Sequence, residues 1–108
     1  MARIQKTVYD VVVATVADYP RMKKMLEKGS VTKDQAVVFA RKVAAVDNAL
    51  IAVCDGESGE VVEALRSDIA NRKGFENAAS RTVYTTKETF HRRKRKAVDL
   101  IAKMLNLI

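Results

Sequence analysis

From Lys33 to Cys54 the chain runs without a glycine or proline, and its apolar residues recur at helical spacing: Ala36, Val37, Phe39, Ala40, Val43, Ala44, Val46, Ala49, Leu50 and Val53. A period of 3.6 sustained over a segment too long for a strand dictates an amphipathic helix. Its start is marked by Thr32 and Gln35. The Thr32 hydroxyl can accept from the Gln35 amide while the Gln35 side chain reaches back, which satisfies two otherwise orphaned donors. The rest of the chain offers few breakers either, with one proline and four glycines in 108 residues.

The same spacing recurs on both sides. Ile4, Val8, Val11, Val12 and Val16 form a helical stripe that Val13, Ala14 and Ala17 widen. The three valines from Val11 suit a strand as well, but no partner strand is visible. Pro20 is expected to end this helix, because the residue before a proline avoids helical geometry. A short helix over about 21–28 should then stop at Gly29. Asp55-Gly56-Glu57-Ser58 breaks the central helix, and a further helix is predicted over 59–73, with Val61, Val62, Leu65 and Ile69 inside and Gly74 as its cap. A short helix over 75–79, a turn over 80–84 and a capping box from Thr85 to Glu88 lead into a last helix over 86–105. Its buried seam should be Phe90, Ala97, Val98, Ile101, Met104 and Leu105. The expected fold class is all-α, a helical bundle with a C-terminal helix-turn-helix.

This length suits one compact chain, divided into a helical oligomerisation or interaction region over 1–54 and a DNA-binding region over 55–108. A first helix apolar on more than one face wants neighbours on several sides, so a homo-oligomer, with a dimer favoured, is expected to form through residues 4–54. The single cysteine, Cys54, lies in the apolar run Ala-Leu-Ile-Ala-Val-Cys and reads as a buried, inert thiol. Arg3 and Lys6 are not followed by the apolar core of a signal peptide, and the longest apolar runs are too short to span a bilayer. The expectation is a cytoplasmic protein of a bacterial host cell that is not on a membrane.

Charge points to a partner. The net charge is +7, and residues 81–108 carry eight of the twenty basic side chains but two of the thirteen acidic ones. The field for a polyanion is therefore concentrated in the last quarter. His91-Arg92-Arg93-Lys94-Arg95-Lys96 is its centre. With Phe90 and Ala97 facing the core, Arg92, Arg93, Arg95 and Lys96 should point outward, where phosphates can neutralise them. Residues 75–79, a turn and a capped helix have the proportions of a helix-turn-helix, in which the start of the second helix enters the major groove. The DNA-binding residues expected are Thr86, Lys87, Thr89, His91, Arg92, Arg93, Arg95 and Lys96, and the partner is double-stranded DNA.

At these residues the chain resembles a family. Asp18-Tyr19-Pro20 after an apolar helix, the stretch over 49–69, and above all Thr-Lys-Glu-Thr-Phe-His-Arg-Arg-Lys-Arg-Lys-Ala-Val-Asp-Leu-Ile-Ala-Lys-Met-Leu-Asn-Leu over 86–107 resemble phage late-gene transcription regulators of the RinA/ArpU type. Their C-terminal half is similar to region 4 of bacterial sigma factors. This chain departs from them at Asn106, where a glycine is common, and at Asn77-Ala78-Ala79. The resemblance implies sequence-specific binding upstream of packaging and structural genes, activation of those genes, and contact with RNA polymerase or self-association through residues 1–54. Two other readings compete with it: a phage terminase small subunit that binds DNA for packaging, and a helical interaction protein whose basic face is merely solvated. No enzyme is expected, and no cofactor or metal. The sequence offers no phosphate loop, no catalytic carboxylate pair with a histidine, and no second histidine to join His91 in a zinc site.

Overall fold

The structure is a computed structural model that describes residues 4–82 and 86–108. Four α-helices follow in order: α1 (Lys6–Lys28), α2 (Lys33–Val53), α3 (Gly59–Ala70) and α4 (Lys87–Met104). Two 3₁₀ turns, Phe75–Asn77 and Ala79–Thr82, stand between α3 and α4, and there is no strand among the described residues. The chain is an all-α helical bundle.

The Thr32 capping box forms as expected. Thr32 Oγ1 accepts from the Gln35 amide at 3.2 Å, and Gln35 Oε1 accepts from the Thr32 amide at 3.1 Å. Gly29 takes the left-handed conformation (φ +65°) that closes α1, with its own amide and that of Ser30 returning to Leu26 and Met25 carbonyls. Only a residue without a Cβ adopts that φ at little cost.

Three boundaries differ from expectation. Pro20 does not end α1, which continues through it without a break to Lys28. Proline removes one intrahelical donor, but packing on both sides holds the axis. Val16 is fully buried, Met22 nearly so, and Tyr19 donates from its hydroxyl to Asp47 Oδ1 of α2 at 2.5 Å. The helix α3 stops at Ala70 rather than 73, and its left-handed residue is Arg72 (φ +52°), not Gly74. The Lys73 amide donates to the Asp68 carbonyl and the Arg72 amide to Ile69. The Arg72 guanidinium pairs with Asp10 Oδ1 at 3.0 Å and covers the Tyr9 ring at 5.4 Å, contacts that offset an unfavourable φ. Residues 75–79 are not a helix, since Phe75–Asn77 is one 3₁₀ turn and Ala78 is extended.

The core draws on every helix: Val12, Val16 and Tyr19 from α1, Val46 and Leu50 from α2, Leu65 and Ile69 from α3, Phe90, Ala97 and Ile101 from α4. Helix α1 packs against all three others, which accounts for its wide apolar stripe. Cys54 is buried, and burial pushes its thiol up, with Arg93 opposing and Glu57 reinforcing the shift. Two seams need correction. Met104 is exposed, while Ala102 takes its place inside. The start of α2 is not covered, since Val37 is 68 % exposed and Val38 48 %. No helix among the described residues is long and apolar enough to cross a membrane.

Candidate nucleic-acid interface

The start of α4 is one residue later than expected. The Thr85 box lies outside the described residues, and the N-cap is Thr86, whose Oγ1 accepts from the Thr89 amide at 3.2 Å. The same hydroxyl also lies 3.0 Å from Thr89 Oγ1. The acid in the first turn, Glu88, complements the positive end of the helix dipole. Beyond it, buried Phe90, Ala97, Val98, Ile101 and Ala102 fix the rotation of α4 against the bundle. At the far end Asn106 supplies the left-handed residue (φ +58°), with the Leu107 amide donating to the Ala102 carbonyl at 2.8 Å. Asparagine tolerates this conformation better than most residues other than glycine.

This rotation divides the basic run. Arg93 turns inward: its side chain is 17 % exposed and its Nη2 lies 3.1 Å from Glu57 Oε1. The expectation that Arg93 faces outward is corrected. Three hundred degrees of helical turn separate it from Phe90, so it lies within a sixth of a turn of the core direction. Lys94 is half-buried as well. Its ammonium donates to the Lys73 carbonyl at 3.1 Å and stands 5.8 Å from the Phe90 ring centre. Burial lowers the Lys94 pKa, the Asp68 carboxylate raises it, and Arg72 lowers it again.

Arg92, Arg95 and Lys96 remain exposed, as do His91 and Lys87. Arg92, Arg95 and Lys96 make no ion pair among the described residues, and His91 only sets its ring edge-on to Phe90 at 5.3 Å. Thr86 and Lys87 are exposed at the helix start and Thr89 is half-buried. Of the acids on this face, Asp99 is engaged by Lys103 at 3.0 Å. Glu88 stands one turn before Arg92, at a spacing that suits a weak pair, yet no ion pair forms. Arg92 has Arg95 and Lys96 at i+3 and i+4, and like charges at these spacings repel. The space between these side chains is an open furrow that, among the described residues, is lined by α4. A smaller cleft of about 230 Å³ lies where α1 meets α4, lined by Ile4, Tyr9, His91, Lys94, Arg95 and Val98.

The compact two-helix unit joined by a three- or four-residue turn is not seen. Residues 71–86 separate α3 from α4, and α4 packs chiefly on α2 and α1. Asp68, which sequence reasoning missed, organises that connection. It is 1 % exposed, and its two carboxylate oxygens accept from the Ala79 amide at 2.7 Å and the Ser80 amide at 2.9 Å. An aspartate at a helical core position, three residues from Leu65 and one from Ile69, is the signal that could have marked it. Comparison with protein-family models, characterised proteins and solved structures finds no match for this chain.

Proposed function

We propose that this chain binds double-stranded DNA through the outward face of α4, as a sequence-specific regulator of the phage late-gene type. The observation that carries the proposal is the division of the basic run: Arg93 and Lys94 are used by the fold, whereas Arg92, Arg95 and Lys96 stand exposed on one face without ion-pair partners among the described residues. A row of arginine and lysine that the fold does not employ, and that weakly repels itself in isolation, is relieved when a polyanion lies against it. On this reading Lys87 and Thr89, at the start of the same helix, approach base edges, while the cations a turn or more further on meet phosphates. Regulation of late genes rests on the resemblance over 86–107, which implies that residues 1–54 serve self-association or contact with RNA polymerase.

Binding of Lys87→Ala to a selected duplex and to random duplex tests the division of labour. Base contact by Lys87 requires a loss of roughly ten- to hundredfold on the selected duplex, the equivalent of about 1–3 kcal/mol, with little change on random duplex. Equal loss on both makes α4 an electrostatic clamp and rejects sequence-specific reading by this residue.

A further inference from the structure

The first half of α2 carries an exposed face that the bundle does not use. Val37 and Val38 are 68 % and 48 % exposed, and beside them Val11 of α1 is 47 % exposed. These three, with Thr15, Leu105 and Leu107, line an apolar groove of about 370 Å³ rimmed by Arg41 and Lys42. The sequence along the face decides what fits there. Asp34, Val37, Val38 and Arg41 fall within one arc of about 100° on the helix, and Asp34 and Arg41 are two turns apart with the valines midway. Neither charge has a hydrogen bond or ion pair within the described chain, whereas Lys42 on the rim has Asp18 nearby to counter it.

This pattern is its own complement. If a second α2 is laid antiparallel across the first, with a two-fold axis passing between positions 37 and 38, residues whose numbers share one sum come face to face. Val37 then meets the partner's Val38, and Asp34 meets the partner's Arg41, each contact occurring twice. That is the isologous geometry of a two-fold interface. From these charges and valines we infer that the chain forms a two-fold dimer through antiparallel α2 helices, with the Val37–Val38 ridge of each copy seated in the groove of the other. The overall charge of +7 disfavours self-association at long range, but the face itself carries one acid and one base and is locally neutral. An unrelated apolar partner would not need an acid and a base disposed symmetrically about the valines. This inference stands independently of DNA binding.

Charge reversal tests it on the full chain by sedimentation and light scattering from low to high micromolar concentration. The wild type is expected to be a dimer. Asp34→Arg places arginine against arginine, and Arg41→Asp places aspartate against aspartate; each should weaken dimerisation by roughly tenfold or more. Mixing the two variants in equal amounts should restore a dimer, because both pairs then become opposite in sign. The double variant D34R/R41D should dimerise alone. Both positions are exposed, and recovery on mixing shows that the singles are folded. A monomeric wild type overturns the inference and leaves the groove to another occupant. So does a dimer indifferent to the single reversals, or a mixture that stays monomeric.

Discussion

Replacing Asp68 should cost more stability than any other single polar substitution in the connection to α4. Its carboxylate is buried beneath the 3₁₀ turn at Ala79–Thr82 and accepts two backbone amides at 2.7 and 2.9 Å. A hydrogen bond to a charged group contributes about 1.5–3 kcal/mol, and a buried amide left without an acceptor costs about 1–3 kcal/mol. Ser80 is 4 % exposed, so its amide would be left dry, whereas Ala79 is exposed and water can replace its lost partner. Asp68→Ala should therefore lose about 3–4 kcal/mol, a large share of the ~5–15 kcal/mol that holds a typical domain together. Asp68→Asn keeps one acceptor oxygen and turns an NH₂ group toward the other amide, so about 2 kcal/mol is expected. Urea unfolding followed by helical circular dichroism measures both. Amide exchange adds a local readout, since Ser80 should lose more protection in Asp68→Ala than amides within α1 do. A loss below about 1 kcal/mol for Asp68→Ala, or unchanged exchange at Ser80, would refute the idea that this carboxylate anchors the segment leading to α4.

Pro20→Ala should stabilise the chain by about 1–2 kcal/mol, because proline is about 3 kcal/mol worse than alanine inside a helix and its stiffening of the unfolded chain returns only part of that; a melting temperature that falls would show that α1 requires the proline. Tyr19→Phe should cost about 1–2 kcal/mol at neutral pH through the lost bond to Asp47. Burial and then the Asp47 bond raise the Tyr19 pKa, so the folded chain keeps its phenolic proton where the unfolded chain has lost it. The advantage of the wild type over Tyr19→Phe is thus full below about pH 10 and declines as the pH rises through the folded value. Denaturant titrations of both proteins between pH 8 and 11 check the sign, and an advantage that grows with pH contradicts it.

The helices themselves were legible in the sequence, because period and caps are local properties. Thr32 with Gln35, Gly29 as a helix stop, and Phe90, Ala97, Val98 and Ile101 on one side of α4 all read correctly. Three of the misreadings share one cause, which is tertiary contact overriding a local rule. Pro20 stays helical because Tyr19 and Met22 are held by neighbouring elements. Arg72 ends α3 in place of Gly74 because Asp10 and Tyr9 receive its side chain. Arg93 leaves the basic face because Glu57, from the turn before α3, lies within reach. Val37 appeared to belong to the core because periodicity gives the width of an apolar stripe but not how much of it a small bundle can cover. Within the candidate interface, the sequence located the basic cluster, whereas the structure separates Arg92, Arg95 and Lys96 from the two cations that serve the fold.

That separation sets the decisive measurement: duplex-DNA affinity over a salt series for the wild type, Arg95→Ala and Arg93→Ala. Each phosphate neutralised contributes about 0.9 to the slope of log affinity against log salt. With Arg92, Arg95 and Lys96 engaged, the wild type should show a slope of about −3 or steeper. Arg95→Ala should lower it by about one unit on every duplex. Arg93→Ala should lose folding stability, since it leaves Glu57 unpaired, yet keep the wild-type slope wherever it is folded. Absence of salt-dependent binding in the folded wild type would make the outward face of α4 solvated surface and contradict the proposed function; equal slope losses for Arg93→Ala and Arg95→Ala would contradict the division of the basic run on which it rests.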